Sequence, residues 1–231
     1  MRALPFLALL SALLGPGLAC AEPLRAALPE HRVLSSSESE SFEPALVQMM
    51  AESLEEAMDV ADRSEGADLQ LGPAKVGPIY YQAVPAALTA NEDGVAGWQQ
   101  LQGQPFCVTT ASPYTPLIVQ RFGAQPREYP SAAHALIGLK LGECRAVVDD
   151  HRLLTEMAKL PEWRRYNSLL PALPEVEQVL RIGTEDGALR ARLDALMQAW
   201  KEEGRLEELI QFWIDEVAFQ AYVLADTLDC H

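Results

Sequence analysis

Short apolar runs alternate along this chain with longer stretches of helical spacing, and that alternation sets the expected elements. Residues 24–34 hold a short strand, and the polar tract 35–41 (SSSESES) reads as a loop. Glu43 and Pro44 open an amphipathic helix with Leu46, Met49, Met50, Leu54, Ala57 and Met58 on one face. The methionines of this stripe read as core. Residues 67–71 and 79–89 read as strands, the second interrupted by Pro85. The clearest unit runs from Trp98 to Asp150. A strand over 106–109 enters the turn Ala111-Ser112-Pro113-Tyr114 and a helix. A second helix, 132–141, passes through Gly142 into a strand over 146–148 that stops at Asp149-Asp150. Such a unit sets a helix N-terminus and a carboxylate at the C-terminal ends of parallel strands, where open α/β sheets bind ligands.

Beyond this unit, 161–174 reads as a short helix and a Pro-bounded loop, and 176–183 as a strand. Residues 185–200 form a helix with Leu189, Leu193, Leu196, Met197 and Trp200 at helical spacing. Gly204 breaks it, and 206–228 continues as one or two apolar helices. Strands alternating with helices give an α/β class, and no internal repeat is present.

The first 21 residues stand apart from this core. Arg2, an apolar run from Leu4 to Leu14 and the small residues Ala19-Cys20-Ala21 read as a secretory leader cleaved after Ala21. Lipidation at Cys20 is the alternative. The expected location is therefore the periplasm. The chain has 231 residues and a formal net charge of −15, which loss of Arg2 makes one unit more negative. This acidity argues against nucleic acid and anionic membrane as partners and suits a cationic ligand or a basic partner protein. An exported chain can keep disulfides. Cys107 and Cys144 bracket the central strands, either as a bridge or as two buried thiols, and Cys230 is left over beside His231.

Candidate chemistry is sparse. No Gly-x-Ser-x-Gly, His-Glu-x-x-His or phosphate loop occurs, and Cys107 and Cys144 are not a Cys-x-x-Cys pair. Adjacent residues on a strand point to opposite faces, so Asp149, Asp150 and His151 do not converge on a metal. The chain reads as neither an enzyme nor a cofactor protein.

Several phrases, in order, resemble the periplasmic solute-binding proteins of the type 2 fold, in the family that binds polar amino acids for ABC importers. They are Trp98 with Leu101-Gln102-Gly103, then Thr110-Ala111-Ser112-Pro113-Tyr114, then Gly142 to Asp150 with Arg145 in place of the first acid. Leu189, Leu193, Trp200, Gly204, Leu206 and Trp213 resemble the closing element, and Tyr80-Tyr81 resembles the crossover strand. The match spans Trp98 to Trp213. One subgroup carries cysteines at the positions of Cys107 and Cys144, which supports the bridge. The first half departs from the pattern: it is shorter, and Gly72 to Pro78 lacks the arginine that grips a ligand carboxylate, leaving Lys75 in its place.

The resemblance implies a bilobal fold of two small open sheets flanked by helices. The first lobe would combine 22–90 with 178–231, and the second would span 91–177. Asp150 would pair with a ligand ammonium or else cap the following helix. Ser112 would meet a ligand carboxylate or else cap its own helix. Tyr81 and Tyr114 would line the cleft or sit in the core. The implied function is capture of a small polar solute, an amino acid or related amine, for delivery to the membrane subunits of an ABC importer. The alternative is an accessory protein docking on a basic periplasmic partner such as a quinoprotein alcohol dehydrogenase system, as some members of the superfamily do.

Overall fold

The computed structural model describes residues 22–61 and 64–228. The leader, Cys20, Cys230 and His231 lie outside the described residues. Ten strands and six α-helices are present among those described.

The first sheet holds β1 (Leu24–Ala27), β2 (Met58–Ala61), β3 (Leu69–Gly72), β4 (Ile79–Ala83) and β10 (Gln178–Gly183) in the order β2-β1-β3-β10-β4. The second holds β5 (Pro85–Thr89), β6 (Pro105–Thr109), β7 (Gln125–Tyr129), β8 (Ala146–Asp150) and β9 (Ser168–Leu170) in the order β7-β6-β8-β5-β9. Each sheet has three parallel strands and then an antiparallel strand that reaches it across the molecule: β10 in the first, β5 in the second. The chain changes sheet at Val84, between β4 and β5, so Pro85–Thr89 belongs to the second sheet. The expected lobe boundary at residue 90 falls beyond this crossover. Pro85 ends one strand and starts another because it has no N–H to give a central ladder.

Strands β5 (PAALT) and β8 (AVVDD) are buried along their whole length, as expected of central strands covered on both faces. Strand β7 (QPREY) is the opposite. It is an almost wholly exposed edge strand carrying Pro126, and its sequence lacks the apolar signal of a strand. It was not expected from the sequence, and neither was β9.

The first helix, α1 (Phe42–Leu54), ends earlier than its apolar spacing implies. Glu55 adopts a left-handed conformation with φ of 54°, and Met58 enters β2 instead of continuing the helical face. No helix lies between β2 and β3 among the described residues, and α1 packs on β2. Two of the four residues of β2 are exposed, Val60 at 49%.

In the second lobe, α2 (Thr115–Phe122) carries Phe122, which stacks on Trp98 with ring centroids 5.2 Å apart. Helix α3 (Ala132–Lys140) starts at Ser131, whose hydroxyl accepts the His134 N–H. Helix α4 (His151–Lys159) starts directly at the end of β8. Helix α5 (Gly187–Glu203) is capped by Asp186 and stopped by Gly204 at φ 78°. The tail is a single helix, α6 (Arg205–Leu228), which packs on α1 and α5 and also on α3 and α4. It therefore braces both lobes, and Arg152 of α4 pairs with Glu207 of α6.

Cys107 of β6 and Cys144 before β8 form a disulfide with a Cα–Cα distance of 5.6 Å, which settles the alternatives in favour of the bridge. It closes a span of 37 residues in which β7 and α3 are formed. The loop-entropy contribution for such a span is about 3–4 kcal/mol. The double variant Cys107→Ser/Cys144→Ser should therefore melt roughly 5 to 15 °C below the oxidised protein, measured by circular dichroism. Equal melting temperatures would show that the bridge does not stabilise the fold.

Candidate functional site

The two sheets meet at the crossover, and Asp150 stands at that point. It is the last residue of β8 and the N-cap of α4, so its carboxylate can reach the first free N–H groups of the helix. Oδ1 accepts the backbone N–H of Arg152 at 2.8 Å and of Leu153 at 3.3 Å. The same oxygen accepts the Tyr81 hydroxyl at 3.1 Å, and Oδ2 accepts the Val84 N–H at 3.1 Å. Two donors come from the first sheet and its exit and two from the second lobe. The helix-cap alternative for Asp150 is thus the arrangement present, with Tyr81 buried against it. Burial raises the Asp150 pKa, and these hydrogen bonds work against the rise. The buried Tyr81 phenol is held well above its ordinary range, so it remains a donor.

The turn after β6 contributes the second element. Ser112 is buried, and its hydroxyl accepts the Tyr114 N–H at 3.4 Å, so it organises the turn that leads into α2. Ala111 has a φ of 58°, a left-handed conformation unusual for a side chain with a Cβ. Asp149, on the opposite strand face from Asp150, is buried beside Thr109 and accepts the Asp150 N–H at 2.7 Å. Burial pushes its carboxyl up to about 7.

The third element is the segment between β1 and α1. Val33, Leu34, Ser35 and Ser36 are buried. Ser35 accepts the Ala132 N–H at the start of α3 through its hydroxyl at 3.0 Å and also through its carbonyl at 3.1 Å. The Ser131 hydroxyl donates to the Ser36 carbonyl at 3.2 Å. The polar tract expected as a solvent loop is therefore partly a structural strap joining the lobes. Its anchor in the first lobe is Glu43, a fully buried carboxyl whose Oε1 accepts the Val33 N–H at 3.0 Å. Burial raises Glu43 to about 7, and its Oε2 has no partner among the described residues.

Two cavities open between the strap and the second lobe. The larger, about 380 Å3, is lined by Glu30, Arg32, Ser35, Ser37 and Glu38 from the strap. Thr109, Thr110, Ala111, Glu128 and Pro130 face them from the ends of β6 and β7. The smaller, about 210 Å3, is bounded by Tyr114 and Leu180 and shares Glu30 and Ala111 with the first. Arg32 is the notable group. Its Nε donates to the Pro29 carbonyl at 2.7 Å, while its terminal nitrogens make no hydrogen bond to any described residue. Lys75, the expected replacement for the missing arginine, lies exposed on the turn after β3 and lines neither cavity. Tyr114 lines the smaller cavity, whereas Asp150, Ser112 and Tyr81 line neither. Sequence reasoning missed Arg32, Glu30, Glu38 and Glu128. Nothing in the spacing of these residues marked them, because Glu30, Arg32 and Glu38 lie in irregular chain and Glu128 on an exposed edge strand.

Among the described residues no group of three His, Cys, Asp or Glu side chains is placed to hold a metal.

No protein-family model matches the chain, and no curated protein matches it. Solved structures do match. An amino acid ABC transporter substrate-binding protein from Streptococcus pneumoniae, bound to L-arginine, aligns with a TM-score of 0.61 at 14% identity, covering 85% of this chain and 96% of that one. The arginine-, lysine-, histidine-binding protein of Geobacillus stearothermophilus aligns at 0.60 and 13% identity, covering 83% and 95%. An ancestral amino-acid-binding protein, a precursor of cyclohexadienyl dehydratase, aligns at 0.61 and 14% identity, covering 83% and 95%. The chain therefore has the bilobal fold of the type 2 periplasmic binding proteins.

The network at Asp150 generates the first expectation for this site. Asp150→Ala leaves Tyr81, Val84, Arg152 and Leu153 without their acceptor, at a cost of about 2–4 kcal/mol. The unliganded protein should melt roughly 5 to 15 °C lower, and a melting temperature within a degree of wild type would refute the structural role. The second concerns pH. Glu43 and Asp149 rise from ordinary values of 4.5 and 3.8 to about 7, so the folded chain keeps protons that the unfolded chain has lost. Stability therefore falls as pH rises from about 4.5 to about 7. His31, lowered by burial from 6.5 to about 4, opposes this fall below pH 6.5. Asp150, also raised by burial, acts in the same direction, and Glu43→Gln removes one of the three carboxyls, so its melting temperature should fall less steeply with pH than that of wild type over this window. Parallel curves would overturn the assignment.

Proposed function

We propose, from this fold, that the protein is an exported solute-binding protein that captures a small zwitterion in the charged cleft between its lobes. The solute's carboxylate sits on Arg32, and its ammonium faces Glu30, Glu38 and Glu128. The observation that carries this reading is the Arg32 guanidinium. One nitrogen is fixed to Pro29, the others make no hydrogen bond to a described residue, and the side chain lines a cleft of about 380 Å3 while its charge also acts on the buried Glu43. A guanidinium held in this way offers a planar fork to a carboxylate without first ordering a free side chain. Arg32 thus takes the part that the resemblance assigns to an arginine absent from Gly72 to Pro78. Delivery to an amino acid importer is the corresponding role, and the leader read from residues 1–21 supports a periplasmic location.

A second reading has its own observation. On α6 the residues Glu208, Phe212, Asp215, Phe219, Tyr222 and Asp226 are all exposed at alternating spacings of four and three. Phe212, Phe219 and Tyr222 are 54%, 61% and 55% exposed, so three aromatic rings and three carboxylates share one face. That face suits a basic partner protein, whose cations would meet both rings and carboxylates. A second copy of this acidic chain would set carboxylate against carboxylate.

Thermal melting of the oxidised protein against amino acids, amines and small organic acids separates the readings. A bound zwitterion at 100 times its Kd adds about 2.7 kcal/mol, a rise of roughly 5 to 10 °C. Arg32→Ala should weaken binding about 10- to 100-fold, with Arg32→Lys intermediate because it offers a point charge. A panel that moves the melting temperature of wild type and Arg32→Ala equally removes Arg32 from the site. A panel that moves neither leaves the partner reading.

A further inference from the structure

The smaller cavity is built differently from the charged cleft beside it. Pro29, Val33, Pro73, Ala83, Tyr114 and Leu180 make up most of its wall. Three of its lining residues, Pro29, Pro73 and Pro113, have no backbone N–H, so the wall is poor in the donors that a polar group would need after losing its water. His31, which also lines it, stands edge-on to the Tyr114 ring with centroids 6.5 Å apart. Burial lowers the His31 pKa to about 4, so it adds no charge at neutral pH. Glu30 is the one charged residue in the wall, and it stands on the boundary shared with the cleft. At about 210 Å3 the compartment exceeds the roughly 150 Å3 apolar cavity that accepts a benzene molecule.

Building on the zwitterion reading above, we infer that the site selects an amphipathic amino acid. The charged head lies on Arg32 and the glutamates of the cleft, and an aromatic or branched aliphatic side chain enters the compartment between Pro73, Tyr114 and Leu180. Glu30 and Ala111 line both spaces, so the two adjoin and one ligand can reach into both. The chain would then differ in specificity from the neighbours of its fold described as binding arginine. A guanidinium in this compartment would be stripped of water against prolines and apolar side chains, with Glu30 the one charged group and Gln178 and the neutral His31 the only other polar side chains to offset the loss, apart from the Tyr114 hydroxyl.

Isothermal titration of the full oxidised protein with glycine, L-arginine, L-leucine and L-phenylalanine tests the inference. Leucine and phenylalanine should bind roughly 10- to 100-fold tighter than glycine, the factor expected for burying such a side chain, and also tighter than arginine. Pro73→Asp puts a carboxylate in the wall at an exposed position and should bring the phenylalanine-to-glycine affinity ratio close to one, with the unliganded melting temperature unchanged. Glycine or arginine binding as tightly as phenylalanine would overturn the inference while leaving the zwitterion reading in place. Binding of none of the four would overturn both.

Discussion

The Asp150 carboxylate holds the arrangement together. It sits where the chain passes from one sheet to the other and accepts hydrogen bonds from Tyr81, Val84, Arg152 and Leu153 at once. Those donors belong to β4, to the crossover and to the first turn of α4, so one side chain fixes the exit of the first sheet against the second. The His151 N–H returns a bond to the Val84 carbonyl at 2.7 Å, which closes the crossover from both directions. A buried carboxylate with four donors is a stable anchor because each hydrogen bond offsets part of the cost of removing its charge from water. Everything between the lobes is positioned from this point.

Two further ties limit how the lobes can move. The serine strap bonds the start of α3 to the first lobe through Ser35, Ser36 and Ser131, and α6 packs on helices of both lobes. Hinged closure usually relies on a few residues that absorb the backbone change while the lobes stay otherwise separate. Here the strap also crosses between the lobes, bonded at Ser35 and Ser36 to the start of α3. The cleft beside it has a charged region around Arg32 and an apolar one around Tyr114 and Leu180. The shortened first lobe has the opposite consequence at its outer edge, where β2 packs on α1 but leaves Val60 open to solvent.

Functional groups in this chain follow from these ties. Asp150, Ser112 and Tyr81 have the chemistry of ligand contacts, yet each is engaged in organising a turn, a cap or the crossover. The groups that face open space belong to the strap and to the ends of β6 and β7. Arg32 shows why position in the sequence was a poor guide. An arginine can serve a cleft from any loop that reaches it, and here the loop after β1 does so, whereas Lys75 projects from a turn facing solvent.

Much of the architecture could be read from local physics alone. The apolar runs at β5, β6 and β8, the cap at Asp150 and the stop at Gly204 each follow from neighbouring residues, so the sequence itself determined the α/β class and the central unit. The cysteine pair was left open by the residues, as a bridge or two buried thiols, and favoured by the resemblance; the pairing of β6 with β8 decided it for the bridge. Strand β7 was not legible, because an exposed edge strand has no buried face to print an apolar pattern. Neither was the end of α1 at Glu55, where the pairing of β2 with β1 overrides a helical stripe that runs on to Met58. The serine strap, the Arg32 cleft and the apolar compartment depend on contacts between residues such as Ser35 and Ala132, far apart along the chain. Burial and hydrogen-bond supply at those points exist only once both lobes are folded against each other, so tertiary structure alone decided where this protein presents its chemistry.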